Sequence, residues 1–132
     1  SPVLFAEAFA QHMEQAGHGT IAVIGSVAGD RGRKTNYVYG AAKGMVERYV
    51  QGLQHRFANS KITIVLIKPG PTATPMTAHL PQRGMASVDA VASGIVAAIR
   101  AGTAVAYVPA KWAIIMMVIR HLPRSIFNKL NI

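Results

Sequence analysis

The stretch Ile21-Ala22-Val23-Ile24, followed directly by Gly25-Ser26, decides the fold class. A short apolar run that begins after a glycine and ends at a glycine-rich loop is typical of a strand buried in a parallel sheet. Residues 62–67 (ITIVLI) form a second run of this kind, rich in β-branched side chains and stopped by Lys68-Pro69-Gly70. The two runs predict neighbouring strands of one sheet.

Helical patterns alternate with these strands. Apolar residues recur at helical spacing over 3–13, and a second helix is predicted from Asn36 to residue 59. Ser87 is predicted to cap a third helix that ends at Gly102, and a last helix is predicted over 111–120. The core-facing stripe of the second helix is predicted to comprise Val38, Ala42, Met45, Tyr49, Leu53 and Phe57.

A third strand is predicted over residues 104–108, so strands and helices alternate along the whole chain. This order predicts an α/β fold with a Rossmann-like, doubly wound parallel sheet, joined by right-handed crossovers. Three strands make a thin sheet whose first strand has an open edge, which proteins ordinarily cover. We therefore expect residues 1–132 to be the C-terminal portion of one larger domain.

Composition narrows the function classes. The 132 residues are 51% hydrophobic, which is enough for a packed core, and the absence of cysteine excludes disulfides and thiolate metal sites. The five histidines are widely spread, so no metal site is predicted. The net charge of +9 fits either a solvated basic surface or an anionic partner. Nucleic acid is not expected, because no basic stripe is interleaved with aromatics.

Three residues together could transfer a proton. Tyr39 and Lys43 are four residues apart on a predicted helix and therefore share one face. Ser26 follows a strand end, where open parallel sheets place ligands. An ammonium near a tyrosine favours the phenolate, and a serine hydroxyl can orient a substrate oxygen. The alternative interpretation of the pair is a half-buried tyrosine beside a solvent-reaching lysine.

The combination of residues 24–29 (IGSVAG), 39–43 (YGAAK) and 68–76 (KPGPTATPM) resembles the second half of a short-chain dehydrogenase/reductase. The resemblance implies that Tyr39 is the general acid/base and that Ser26 orients the carbonyl. It implies that Lys43 assists Tyr39, and that Tyr39 and Lys43 line the cofactor. The residues implied to lie along the nicotinamide of NAD(H) or NADP(H) are Pro69, Gly70, Thr72 and Thr74.

Two pieces of that family pattern have no counterpart here. The Gly-rich phosphate loop is missing, and the catalytic asparagine would precede Ser1. The resemblance implies that the longer parent protein interconverts small-molecule carbonyls and alcohols, forms homo-oligomers and is located in the cytoplasm. This chain alone is expected to be inactive. The alternative is a non-catalytic fragment that serves as an oligomerising or membrane-surface module.

The C-terminal segment carries a narrower resemblance. Residues 37–40 (YVYG) and 120–130 (RHLPRSIFNKL) are similar to decaprenylphosphoryl-2-keto-erythro-pentose reductases, which implies a keto-sugar or polyprenyl-linked substrate. The segment is also amphipathic and basic, a pattern that can give peripheral membrane contact. The alternative is that its apolar side packs against the protein. Three basic residues in the loop before Tyr39 are expected to be solvated, with contact to an anionic substrate as the alternative: Arg31, Arg33 and Lys34.

Overall fold

A computed structural model of the chain describes residues 2–132. Its three strands, β1 to β3 in chain order, span Gly19–Ile24, Ile62–Pro69 and Val105–Val108. Its five helices, α1 to α5 in chain order, span Pro2–Ala16, Tyr37–Arg56, Val88–Ala101, Lys111–His121 and Arg124–Phe127. The strands form one parallel sheet in the order β1-β2-β3, which confirms the predicted α/β class.

Strand β2 is the centre of the sheet. It pairs with β1 from Gly19↔Ile62 to Ile24↔Ile67, and its last four residues pair with β3. Its apolar side chains alternate between two cores. Ile62, Ile64 and Leu66 join one cluster with α1 and α2, whereas Val65 and Ile67 join another with α3 and Val108.

The prediction that residues 21–24 form a fully buried strand was correct for alternate positions only. Ile21 and Val23 are buried, but Ile24 is 48% exposed. Strand β1 lies at an edge of the sheet, so its outer backbone and part of its second face are uncovered. The apolar composition of β1 is that of an interior strand, although its position here is that of an edge.

The predicted core-facing stripe of α2 was wrong at its N-terminal half. Val38 and Met45 are 71% and 57% exposed, and Gly40, Val46 and Val50 are buried in their place. Leu53 and Phe57 were predicted correctly, since both are buried. The helix carries two apolar faces, and the face with the smaller side chains packs against the sheet. Helix α1 behaves in the same way, since Ala6 and Ala10 are buried while its larger apolar side chains Leu4, Phe5 and Phe9 are exposed.

The ends of α3 agree with the sequence signals. The Ser87 hydroxyl accepts a hydrogen bond from the Ala90 backbone at 3.3 Å, and Gly102 closes the helix with a φ of 64°. Only glycine adopts that conformation without strain. Across the described residues, none of the helices combines the length and apolar character needed to cross a membrane.

Candidate active site

The loop after β1 is held at the carboxyl edge of the sheet. The Gly25 amide donates to the Ile67 carbonyl at 2.7 Å, which continues the pairing of β1 with β2 by one residue. Ser26 then caps a 3₁₀ turn over Val27–Gly29, and its hydroxyl oxygen accepts from the Ala28 amide at 3.1 Å. Ser26 therefore occupies the position, just past a strand end, at which open α/β sheets bind ligands.

The 3₁₀ turn packs directly on α2, and glycine makes this approach feasible. A β-carbon on Gly40 would lie 2.9 Å from the Ala28 carbonyl oxygen, and one on Gly29 would lie 3.0 Å from the Lys43 carbonyl carbon. Such distances are too short for a side chain. The two glycines thus bring the loop that carries Ser26 against the helix that carries Tyr39 and Lys43.

Lys43 connects α2 to the end of β1. Its ammonium donates to the Ile24 carbonyl at 3.2 Å and lies 5.8 Å from the centre of the Tyr39 ring. Tyr39 is in the first turn of α2 and is 44% exposed, so its phenol is open to a ligand. The structure therefore brings Lys43 to Tyr39 and to the strand end that leads into Ser26.

The segment after β2 carries two threonine hydroxyls, those of Thr72 and Thr74. The Thr72 hydroxyl donates to the Gly70 carbonyl at 3.0 Å. Thr74 precedes a 3₁₀ turn over Pro75–Thr77 and donates its amide to the Thr77 hydroxyl at 3.0 Å. Local hydrogen bonds thus fix the shape of this loop and leave the Thr72 and Thr74 side chains half-buried.

Gly70 has a packing role of its own. A β-carbon at this position would lie 2.0 Å from the Trp112 indole nitrogen, so the indole of α4 rests directly on the glycine. The Gly70 amide also donates to the Val108 carbonyl at 2.9 Å. Gly70 therefore links the end of β2 to β3 and α4. Because its amide already donates to Val108, Gly70 would contact a cofactor by close packing and not through that amide.

Lys68 was expected to end β2 and instead lies inside it, 1% exposed. Its ammonium contacts the Asp30 carboxylate and lies 2.9 Å from Glu47. The Tyr107 hydroxyl donates to the second Asp30 oxygen at 2.8 Å. We call these four residues the buried ion cluster. Sequence patterns missed it because its members lie far apart in the chain.

The buried ion cluster raises the pKa values of Lys68 and Tyr107. Burial alone lowers the pKa of Lys68, but the hydrogen bonds and charges of Asp30 and Glu47 outweigh it, so the pKa is raised. Burial, with the hydrogen bond to Asp30, raises the pKa of Tyr107. The cluster therefore holds a charged lysine and a neutral tyrosine at neutral pH.

The expectation that Arg31 is solvated was wrong. Its guanidinium donates to the carbonyls of Ile119 and Leu122, the latter at 2.8 Å, at the C-terminal end of α4. It also lies 3.7 Å from the centre of the Phe127 ring. A cation at the end of a helix and over an aromatic face is stabilising. This part of the C-terminal segment therefore packs on the loop that follows Ser26.

A comparison with known protein families covers the segments described above. Residues 1–85 match the family model described as "short chain dehydrogenase", a span that includes Ser26, Tyr39, Lys43 and the segment after β2. The chain belongs to the short-chain dehydrogenase family. The closeness to decaprenylphosphoryl-2-keto-erythro-pentose reductases suggested by the tail is not shown by these matches.

Curated relatives support the family assignment. An uncharacterised oxidoreductase of Streptomyces coelicolor is 30% identical over 118 residues, which is 89% of this chain and 47% of that protein. One from Mycobacterium tuberculosis is 31% identical over 121 residues, which is 89% of this chain and 48% of that protein. The chain thus spans about half the length of the curated relatives it matches.

The fold matches solved short-chain dehydrogenases. One from Burkholderia cenocepacia in complex with NADP superposes with a TM-score of 0.81 at 19% identity, over 96% of this chain and 52% of that one. One from Sphingobium yanoikuyae in complex with NADPH gives 0.72 at 24% identity, over 91% and 52%. The three-stranded sheet is thus the arrangement found in half of a short-chain dehydrogenase subunit.

Proposed function

We propose that this chain supplies the proton-transfer site of an NAD(H)- or NADP(H)-dependent carbonyl reductase. The observation that carries the proposal is the position of the Lys43 ammonium, 3.2 Å from the Ile24 carbonyl and 5.8 Å from the Tyr39 ring. One cation thus adjoins both the exposed phenol and the strand end beside Ser26. A purely oligomerising or membrane-surface module would not require this arrangement.

In proton transfer, the three residues Ser26, Tyr39 and Lys43 have distinct proposed roles. In reduction, the Tyr39 hydroxyl gives its proton to the substrate oxygen, and in oxidation the phenolate takes it back. The Ser26 oxygen already accepts from the Ala28 amide, which leaves the serine proton free to donate to the same substrate oxygen. Lys43 stabilises the phenolate, because a neighbouring ammonium favours the charged form.

The donor set fits the nicotinamide end of a dinucleotide. An ammonium has three protons, and the bond from Lys43 to Ile24 uses one, which leaves two for ribose hydroxyls. The hydroxyls of Thr72 and Thr74, in the loop after Pro69-Gly70, can hydrogen-bond a carboxamide. When bound, the dinucleotide supplies or accepts the hydride, and the protein supplies position and the proton.

We further propose that the pyrophosphate is held outside these 132 residues, in a longer protein that we call the parent enzyme. Backbone amides of a Gly-rich turn at a helix N-terminus ordinarily bind such a group. Across residues 2–132, each strand leads into a segment already assigned above to Ser26, to the threonine loop or to α4. Residues 1–132 are then the C-terminal portion of one nucleotide-binding domain.

The proposed substrate class is inferred from the C-terminal residues 120–130, called the tail below. The similarity of residues 120–130 to reductases of a polyprenyl-linked keto-sugar supports a keto-sugar as the carbonyl substrate. Basic residues of the tail would suit an anionic lipid headgroup or a lipid phosphate. Turnover of the parent enzyme with a panel of keto-sugars and simple ketones tests this, and equal turnover of both classes would exclude a sugar preference.

Self-association is proposed through α1 and α2. Phe5 and Phe9 of α1 are 68% and 57% exposed, and Met45 of α2 is 57% exposed. Exposed apolar side chains concentrated on adjacent helices are typical of protein interfaces. Light scattering of the parent enzyme should give the mass of a homo-oligomer, and a monomer at micromolar concentration would contradict this pairing.

The experiment that tests the reaction is Tyr39→Phe in the parent enzyme. The change removes the proton donor and keeps the ring, so turnover of a ketone panel with NADH or NADPH should be nearly abolished while cofactor binding persists. Tyr37→Phe is the matched control, because it removes the same group from a neighbouring residue in the first turn of α2. Activity of Tyr39→Phe within a few-fold of wild type would contradict the assignment.

A further inference from the structure

We propose that Lys68 is a positioning residue that fixes the distance between the loop of Ser26 and the helix of Tyr39 and Lys43. The proposal rests on the function proposed above. Lys68 touches none of the three catalytic residues directly. It acts through the buried ion cluster, in which its ammonium holds the carboxylates of Asp30 and Glu47 together.

The connections of the cluster carry the proposal. Asp30 ends the 3₁₀ turn that Ser26 begins, and its amide donates to the Val27 carbonyl at 3.2 Å. Glu47 lies one helical turn after Lys43, on the same face of α2. An ammonium bound to both carboxylates therefore joins the serine loop to the lysine helix.

Two further segments meet at the same point. Lys68 immediately precedes Pro69-Gly70 and the threonine loop, and Tyr107 donates to Asp30 from β3. The Lys68 ammonium also lies 5.0 Å from the centre of the Tyr107 ring. All the segments assigned to catalysis and to the nicotinamide end are thus linked through one buried cation.

Stability alone gives no reason for a charge here. Lys68 directly follows four buried apolar side chains, those of Ile64, Val65, Leu66 and Ile67. A further apolar residue would continue that packing. Replacing a buried ion pair by apolar groups of similar volume is often neutral or stabilising. Charged hydrogen bonds, in contrast, fix direction as well as distance. Geometry is therefore what the cluster adds to this part of the sheet.

The decisive variant removes the charges without leaving one unpaired. The triple change Lys68→Met, Asp30→Asn and Glu47→Gln keeps every side-chain volume close to wild type, and the amide introduced at position 30 can still accept the hydrogen bond from Tyr107. Its unfolding midpoint in the parent enzyme should remain near wild type. Its kcat should fall about 10- to 100-fold, because misplacement of catalytic groups by about 1 Å has an effect of that size.

Two further readouts separate positioning from a structural role. KM for the best ketone of the panel should change by less than about two-fold, because Lys68 touches no substrate. Hydrogen exchange should accelerate at the amides of Ala28, Gly29 and Asp30 and stay slow in β2. Lys61→Met is the matched control, since it makes the same change at an exposed site just before β2. It should leave kcat, KM and hydrogen exchange unchanged.

The outcomes are distinguishable. A triple variant with wild-type stability and wild-type kcat overturns the role of Lys68, whereas an active Tyr39→Phe overturns the proposed function itself. If the triple variant unfolds early, Glu47→Gln decides alone, because Glu47 is only partly buried, at 16% side-chain exposure. A several-fold fall in its kcat at constant KM supports positioning, and an unchanged kcat rejects it.

Discussion

Two clusters in this molecule use the same chemistry in different surroundings. On the surface between α1 and α2, Tyr49 donates to Glu7 at 2.8 Å, and Arg56 pairs with Glu7 and Glu14 at 3.6 and 2.6 Å. We call this the surface clamp. In the buried ion cluster a tyrosine likewise donates to a carboxylate at 2.8 Å, and one cation pairs with two carboxylates.

Exposure separates the two clusters. The side chains of Arg56, Glu7 and Glu14 are 42%, 39% and 53% exposed, whereas those of Lys68 and Asp30 are 1% and 0% exposed. Water replaces a lost partner at the surface clamp, but it cannot do so at the buried Lys68 and Asp30. The same bonds therefore join two helices loosely in one place and, as proposed above, fix the segments of the candidate active site in the other.

The largest expected contrast is between Lys68→Met and Arg56→Met. Loss of Lys68 leaves buried carboxylates without a cation and should lower the free energy of unfolding by about 3–5 kcal/mol. Loss of Arg56 should lower it by about 0.2–1 kcal/mol, because its partners are solvated. Urea denaturation of both variants measures the difference, and equal losses would show that burial does not distinguish the clusters.

A smaller contrast concerns two glycines of α2. Gly40→Ala places a β-carbon 2.9 Å from the Ala28 carbonyl oxygen and should destabilise the fold by about 1–3 kcal/mol while reducing turnover. Gly52→Ala meets no atom within 4 Å and should stabilise the same helix by about 0.5–1 kcal/mol. Thermal unfolding and ketone turnover test both, and a Gly40→Ala protein with wild-type activity would refute close packing of the Ser26 loop.

The smallest expected effect is the alkaline behaviour of the surface clamp. Burial, then the hydrogen bond to Glu7 and its charge, raise the pKa of Tyr49 to about 12. A tyrosine whose pKa rises on folding stabilises the fold fully below its unfolded pKa of about 10, and this contribution is lost as pH rises through about 12. Tyr49→Phe should therefore cost about 1 kcal/mol at neutral pH.

The same variant should show a shallower loss of stability above about pH 10. Urea midpoints measured at several alkaline pH values supply the slope for Tyr49→Phe and wild type. Tyr37→Phe is the control, since Tyr37 is 66% exposed on the same helix. Parallel slopes for wild type and Tyr49→Phe would contradict the raised pKa of Tyr49.

Local signals predicted the parts of this fold that are determined locally. The cap at Ser87, the glycine at the end of α3 and the β-branched run of β2 needed only neighbouring residues. Ser26, Tyr39 and Lys43 were found from a motif, and their proposed roles remain predictions. Periodicity predicted the buried Leu53 and Phe57 but failed in the first half of α2, because two apolar faces compete there and only tertiary packing selects the one with Gly40.

Non-local charge pairing escaped the sequence altogether. Lys68 stands beside a proline and a glycine, so its local context predicted the end of a strand. Its burial depends on Asp30 in one loop and Glu47 on one helix, which only the folded chain brings together. Arg31 was missed for the same reason, since its partners at the end of α4 are remote in sequence.

The division of labour between this chain and the rest of the parent enzyme is tested most directly by calorimetric titration with NADH and NADPH. Lys43 and the loop after Pro69-Gly70 are proposed to contact only the nicotinamide end, and each tenfold loss of affinity corresponds to about 1.4 kcal/mol of missing contacts. The parent enzyme should bind one of the two dinucleotides at micromolar concentration, and the 132-residue chain should bind neither at that level. Micromolar binding by the isolated chain would contradict the account.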